Sequence, residues 1–439
     1  MNTSSVSAAE DEVIGFLVDL IRFAAVNTGD LATIGDGETR AVKYIQERLE
    51  EVGYSCHFVE SVPGRGSLVM RIPGSDPSRG ALLIHGHVDV VPADAADWSV
   101  DPFAAEIKDG FVWGRGAVDM LDMVAMMLAV ARHFAREKVV PPRDLVFAFL
   151  ADEEAGGFCG SNWLVDNHPE WFDGVTEAVS EVGGFSVDLD GKRRAYLVGT
   201  AEKGIAWATL TATGRAGHGS MANDDNAVTR LVQAMAAIGE YEFDIDVSGT
   251  VQTFLDRMTQ LTGRQFPADN LEQAIAELGP ISQMVNATLR TTANPTQLSA
   301  GYKANVIPGV ATGVVDCRIL PSQAATFKQT MAELAGDDIE ISYVELPALE
   351  SPFSGRLVDA MADAIAAEDP DGVIVPYMLS AGTDNKSFSR LGIAGYGFAP
   401  LRLPADFDFS AMFHGVDERV PVDAVKFGVR VLDRLLRTC

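Results

Sequence analysis

Basic charge, paired cysteines and long apolar runs are what this chain has little of. Only 34 Lys and Arg stand against 62 Asp and Glu, a formal charge of −28. A field of that sign repels phosphate backbones and anionic lipid surfaces, so neither nucleic acid nor a membrane is an expected partner. An anionic substrate must then be caught by local cationic groups or metal, against the long-range field. The four cysteines, Cys56, Cys159, Cys317 and Cys439, are scattered with no C-x-x-C pair, which argues against a disulfide framework and a thiolate zinc site. No stretch approaches the roughly 18 apolar residues of a membrane span. The opening, Met1 to Asp11, has no basic stretch followed by an apolar run and reads as no secretory leader, so a cytoplasmic protein is expected. A Gly-rich phosphate loop ending in Lys-Ser/Thr is also missing, which disfavours nucleotide binding.

What is present is length and alternation. With 439 residues and 47% hydrophobic content, two domains are the reasonable expectation. Ser7 with Glu10 reads as a capping box, and Val13, Phe16, Leu17, Leu20, Ile21 and Ala24 follow at helical spacing. Short apolar runs then alternate with helical stretches: Ala81 to Ile84, Met120 to Phe134, Asp144 to Leu150, and Gly160 to Asn167. This pattern predicts an α/β domain with a mostly parallel mixed sheet flanked by helices. From about residue 201 the texture changes to strand-like alternation in Ile205 to Thr213, a helix from Ala227 to about Ile238, and a β-rich stretch from Val306 to Leu320. A smaller α+β domain, 201–346, is therefore expected inside a discontinuous first domain of residues 1–200 and 347–439, which ends in a helix over Val422 to Leu436. The stretch Gly239 to Gly301 carries no clear pattern.

Five places put a metal-competent side chain just after an apolar strand or in a loop of the first domain, where strand ends of an open α/β sheet converge on one crevice. The first is Leu82-Leu-Ile-His-Gly-His87-Val-Asp89. A carboxylate two residues after a histidine can accept its second ring N–H and fix the tautomer. Alone, His-x-Asp is equally open to a non-metal role, and His85 reads as a satisfied interior histidine. The second is Gly114-Arg-Gly-Ala-Val-Asp119, where Asp119 could be a helix N-cap or could bridge two cations through its two oxygens. The third, Asp152-Glu153-Glu154, is fused to the end of a buried strand, where clustered carboxylates repel unless cations neutralise them. One glutamate can ligate metal while its neighbour acts as general base. The fourth is Glu181 before Gly183-Gly184, and the fifth is His414 in a loop before the last helix; each alone also reads as structural or surface.

Together these motifs resemble the family of two-zinc metallopeptidases that contains aminoacylases, succinyl-diaminopimelate desuccinylases and glutamate carboxypeptidases. The resemblance runs from the opening helix to the last one and includes Trp98 to Phe103, reading W-S-V-D-P-F. It implies that His87 and Glu181 bind one divalent ion, Glu154 and His414 the other, and that Asp119 bridges. It further implies Glu153 as general base and Asp89 as the residue that orients His87. Zn²⁺ is the implied metal, two ions per chain, with Co²⁺ or Mn²⁺ able to replace it. The inserted domain resembles the family's lid, which implies a homodimer through the lid and a His218 that reaches an active site, often the partner subunit's, to stabilise an oxyanion. Asn305, Arg318, Gly382, Thr383 and Lys386 fall in segments that resemble the family's substrate-binding text. Arg318 suits a carboxylate because its planar fork can grip one bidentately.

Two departures bear on specificity. Many members carry Arg where Lys386 stands, and many carry Lys soon after the bridging Asp, where this chain reads Met120-Leu121-Asp122. The implied activity is hydrolysis of the amide or peptide bond of a small substrate with a free carboxylate: a dipeptide, a C-terminal amino acid or an N-acyl-amino acid. A desuccinylase or other N-deacylase is the alternative, and a metal-binding protein without catalysis a distant one.

Overall fold

The computed structural model describes residues 6–439; the expectation about a leader rests partly on residues 1–5, which lie outside the described residues. The first apolar stripe folds as a helix, α1 (Ser7–Arg22), with Val13, Phe16, Leu17, Leu20 and Ile21 buried. Val6 occupies its N-cap, and the Val6 carbonyl accepts the amides of Ala9 and Glu10 at 3.0 and 3.1 Å. Ser7 is thus the first helical residue and the capping-box reading is displaced by one. Ala24 lies past the helix end in a left-handed conformation, φ +48°, so the stripe is one residue shorter than its spacing suggests.

The elements that follow are α2 (Gly37–Glu50), β1 (His57–Glu60), β2 (Gly66–Ile72), β3 (Ala81–His87), a hairpin of β4 (Glu106–Lys108) and β5 (Phe111–Trp113), α3 (Leu121–Glu137), β6 (Leu145–Leu150), α4 (Ser161–Asn167), β7 (Val175–Ser180), β8 (Phe185–Asp188) and β9 (Arg194–Glu202). The insert carries β10 (Gly204–Thr213), β11 (Gly217–His218), α5 (Ala227–Glu240), α6 (Gly249–Thr262), α7 (Leu271–Ala276), α8 (Ser282–Asn286), β12 (Thr292–Ala300), β13 (Val306–Ile307), β14 (Val310–Ile319), α9 (Phe327–Ala335) and β15 (Ile339–Leu346). The chain returns through β16 (Leu349–Glu350), α10 (Arg356–Glu368), β17 (Gly372–Leu379), α11 (Asn385–Ser389), β18 (Ala394–Gly397), β19 (Arg419–Pro421) and α12 (Val422–Thr438).

The main sheet has the order β1-β2-β6-β3-β7-β18-β9-β16, with β17 and β8 also paired to β9. Its centre, β6-β3-β7-β18, is parallel, whereas β1, β2, β8 and β16 pair antiparallel at the flanks. Side chains alternate across it. Leu82, Ile84, Leu145, Phe147 and Phe149 join one cluster with α1, α2, α3, α10 and α12, while Leu83, Val146, Ala148 and Leu150 join another with Leu164 of α4 and Phe388 of α11. Both faces are therefore covered, which is why the strands read as unbroken apolar runs.

The insert has its own antiparallel sheet, β12-β14-β10-β15, and a separate core in which Leu210, Leu231, Ile238, Val315, Phe327 and Met331 meet. The stretch without clear pattern does something different. Val251, Phe254, Leu255 and Met258 of α6, with Leu271, Ile275, Val285 and Leu289, bury themselves in the large cluster of the first domain. Inside the expected 201–346 insert, this helical excursion thus packs back on the catalytic body.

Candidate metal centre

The expected ligands gather at the carboxyl ends of the central strands. His87 is the last residue of β3, Glu153 and Glu154 follow β6, and Glu181 follows β7. Asp119 stands just before α3, and His414 comes from the loop before β19. His87 Nε2 lies 3.3 Å from Asp119 Oδ1, 3.5 Å from Glu181 Oε2 and 3.8 Å from Glu153 Oε2. His414 Nε2 lies 3.2 Å from Asp119 Oδ2 and 3.1 Å from Glu154 Oε2. The two oxygens of Asp119 therefore face two different histidine–carboxylate sets, the arrangement a bridging ligand requires. Ligand-type atoms of His87, Asp119 and Glu154, and likewise of His87, Glu153 and Glu181, lie within 4.8 Å of one another.

The electrostatics say the same. Burial, reinforced by Glu181, drives the Glu153 carboxyl well above its usual range, and burial pushes Glu181 up to about 8 against the pull of His87. Glu154 is raised by burial and by Asp119, and its Oε1 is buried without a hydrogen-bond partner among the described residues. Hydrogen bonds to Asp119 and Glu154 lift His414 to about 10. Carboxylates crowded in this way are stabilised by cations, and a donor set of imidazole nitrogens and carboxylate oxygens fits divalent ions of the zinc type.

The backbone around these ligands is unusual. Asp152, Val182 and His414 all have positive φ, at +69°, +48° and +57°. A β-branched residue such as Val182 is costly there, and such conformations concentrate at functional sites. Asp152 is held from four sides. Its amide donates to Glu38, its carboxylate accepts Asn27 Nδ2 at 3.2 Å and the Cys159 amide at 2.7 Å, and Arg65 Nη2 lies 3.4 Å away. Arg65 is itself buried, paired with Glu38 and donating to Asn27 Oδ1 at 2.8 Å. Glu418 holds the Asp119 turn by accepting the amides of Gly116, Val118 and Asp119 at 3.1, 2.7 and 3.2 Å.

Asp89 stands against His87, where the resemblance puts it, and braces the next turn as well. His87 Nδ1 is 2.9 Å from the backbone carbonyl of Asp89 and 3.5 Å from its carboxylate. The carboxylate accepts Asn27 Nδ2 at 2.8 Å and the amides of Glu153 and Glu154 at 3.1 Å each. The His87 ring thus faces both the carbonyl and the carboxylate of Asp89, and that carboxylate also holds the turn that presents both glutamates. His85 is interior as read but only half satisfied: it is fully buried, its Nε2 lies 2.9 Å from Asn385 Oδ1, its Nδ1 has no hydrogen-bond partner among the described residues, and burial lowers it to about 4.

A cavity of about 400 Å³ opens over the ligands. Asp119, Glu153, Glu154, Glu181 and His414 line one side, and Arg318, Gly382, Thr383 and Lys386 border it as well. Ile205, Trp207, Met284, Leu346, Leu379 and Phe413 form an apolar wall. Arg318 Nε and Nη2 bind Asp316 at 2.6 and 3.0 Å, leaving its Nη1 edge without a partner among the described residues. Thr383 is spent on Glu202, donating from its amide at 3.1 Å and its hydroxyl at 2.6 Å. His218 and Asn305 are not in this cavity. Both are exposed on the lid at the β11–β13 pair, where His218 Nδ1 lies 2.8 Å from Ser220 Oγ and the Asn305 carbonyl accepts the Gly219 amide. At the second departure, Leu121 is buried in the core and the Asp122 carboxylate accepts the Met123 amide at 2.7 Å, so neither opens onto the cavity.

Asp384 lies in the segment that resembles substrate-binding text, but the sequence reading gave it no role of its own. It borders the cavity beside Glu153, accepts the hydroxyl of Ser161, keeps a buried Oδ2 without a partner among the described residues, and is pushed up to about 7 by burial. The signal was available, since it is one more acid just past an apolar strand, β17.

Known proteins resemble this chain in sequence and fold. The model of peptidase family M20/M25/M40 matches residues 83–438, a span holding all five expected metal ligands. Aminoacylase-1 of Pongo abelii is 26% identical over 408 residues, covering 90% of this chain and 89% of that protein. The N-fatty-acyl-amino acid synthase/hydrolase PM20D1 of Xenopus tropicalis is 28% identical over 420 residues, covering 90% of this chain and 79% of that protein. Among solved structures, the M20 family metallo-carboxypeptidase Sso-CP2 from Sulfolobus solfataricus has the same fold, with a TM-score of 0.74 at 17% identity over 98% of this chain and 99% of that one. With the match spanning most of the chain and the ligands assembled at the strand ends, this hydrolase belongs to peptidase family M20/M25/M40.

Proposed function

We propose that this enzyme hydrolyses the amide bond of an N-acyl-amino acid or dipeptide that carries a free carboxylate and an apolar side group. One observation carries the reading: Arg318 and the acid-lined centre border the same cavity, whose lining also holds several large apolar side chains. The free edge of the Arg318 guanidinium suits a carboxylate, and Ile205, Trp207, Met284 and Leu346 suit an uncharged chain. A desuccinylase would need a second cation for the second carboxylate, and the other cation at the cavity, Lys386, is engaged by two backbone carbonyls and Glu202.

His87 and Glu181 would hold one ion, Glu154 and His414 the other, and Asp119 both; the ligand chemistry favours Zn²⁺, with Co²⁺ or Mn²⁺ as substitutes. Two such ions supply Lewis-acid polarisation and a lowered water pKa. Glu153, 3.8 Å from His87 Nε2 and bordering the cavity, takes the proton of the attacking water and returns it to the leaving amine. His218 is exposed and outside its own cavity, which supports a homodimer through the lid in which it completes the site of a second copy.

The test is turnover of N-acyl-amino acids, dipeptides and their C-terminal amides by Zn²⁺- or Co²⁺-loaded protein. Free acids should be hydrolysed with a kcat/KM about tenfold or more above that of the amides, a difference of about 1.4 kcal/mol. Metal-loaded protein that hydrolyses none of them, or that treats acids and amides alike, would overturn the proposal.

A further inference from the structure

The chain crosses from the main sheet to the lid sheet at Lys203 and returns at Pro347–Ala348. The last rung of the lid ladder is Ile205↔Leu346, and the first rung of the main sheet is Leu349↔Glu202. Between these rungs the two crossings run side by side without pairing to each other. The gap is filled by Lys386. Its ammonium donates to the Lys203 carbonyl at 2.6 Å and to the Pro347 carbonyl at 2.8 Å, and the Glu202 carboxylate lies 3.3 Å away. The side chain is 1% exposed.

Its surroundings are built to hold it. Glu202, opposite the ammonium, is fixed by the amide and hydroxyl of Thr383 and by Asn385 Nδ2 at 3.4 Å. A Cβ on Gly382 would fall 2.3 Å from Lys386 Cε and 2.8 Å from Ile205 Cδ1, so only glycine leaves room for the lysine stem beside the first lid strand. Arg318 pairs with Ile205 in the lid sheet, two residues from the clamped Lys203 carbonyl. Whatever fixes that carbonyl fixes where Arg318 stands over the metal centre.

We propose that Lys386 is a hinge clamp, a positioning residue that bonds both inter-domain crossings and thereby sets Arg318 over the metal centre, and that it does not grip the substrate's carboxylate itself. Three donor positions on an ammonium match two carbonyls and one carboxylate. A planar guanidinium in the same tunnel would not, which gives the lysine at this position a physical reason.

The experiment is hydrogen exchange on the full-length, Zn²⁺-loaded, substrate-free protein, comparing the native chain with Lys386→Met and Lys386→Arg. The clamp predicts faster exchange of amides in 203–207 and 345–349 in both variants, with β3 and β6 unchanged and metal content retained. Exchange needs no substrate, so this outcome is separate from that of the proposed activity. In turnover of a free-carboxylate substrate, KM should rise about tenfold in both variants with kcat changed much less, the mark of lost binding rather than lost chemistry. Native exchange at the crossings in Lys386→Met, or a KM in Lys386→Arg as low as that of the native chain, would overturn the clamp in favour of direct carboxylate binding. Acceleration spread evenly through β3 and β6 would overturn it in favour of a general role in folding. If Lys386→Met does not fold, Lys386→Arg carries the same readouts alone.

Discussion

Glu153 and Glu154 are adjacent in sequence and divided by surroundings. Glu154 is 3.1 Å from His414, whereas Glu153 faces the His87 and Glu181 side. Glu153→Gln should therefore keep about two metals per chain while turnover falls by about a hundredfold or more, as loss of a general base implies; metal analysis beside kcat checks it, and retained activity would remove Glu153 from the role. The same crowding predicts a proton count. Because Glu181 holds its proton up to about 8 in the metal-free protein, binding a cation must displace it. His414, held up to about 10, must give up its proton as well, so loading should release protons, strengthen as pH rises through 8 towards 10 and weaken as pH falls, which calorimetry in buffers of different ionisation enthalpy would read; pH-independent binding would contradict it. The candidate ligands were legible because each is an unusual residue at a strand end or loop. The supports were not: Asn27, Glu38 and Arg65 are ordinary polar residues until the fold buries them together, and which oxygen of Asp89 meets His87 depends on backbone geometry that spacing does not encode.

Elements were read where period alone decides, as in β3, β6, α3 and α12. Destination was harder. Within the stretch Gly239 to Gly301, Val251, Phe254, Leu255 and Met258 do have helical spacing, a pattern the sequence reading does not pick out, and nothing in that spacing says whether α6 faces the lid core or the main one. The short α7 and α8 offer too few turns to show a stripe at all. Contacts between elements also depend on single residues far apart in sequence. Asp369, in the turn between α10 and β17, receives the Arg194 guanidinium on both oxygens and the Tyr196 hydroxyl at 2.7 Å, tying β9 to that corner. Asp369 is 1% exposed. Asp369→Ala would leave a mostly buried Arg194 unpaired and should cost about 3–5 kcal/mol in denaturant unfolding; a loss under about 1 kcal/mol would mean the pair is solvated.

For the molecule as a whole, the sequence led to the expectation of two bodies and a discontinuous first domain because its texture changes at about residue 201, which is where the chain passes from the main sheet to the second one. It did not show how often the chain passes. Besides the crossings at Lys203 and Pro347, the chain leaves the lid core after Phe243, enters the main core through α6, and rejoins the lid at Ala293. Thr250, at the start of α6, is fastened there by Glu350, which accepts its amide at 2.9 Å and its hydroxyl at 3.0 Å. The excursion also supplies Met284 to the apolar wall of the cavity. Residues 201–346 are therefore contiguous in sequence without being a transplantable unit. Any recombination that exchanged this segment between relatives would exchange part of the catalytic body's own core with it, so that one face of the substrate wall and the stability of the enzyme are inherited together.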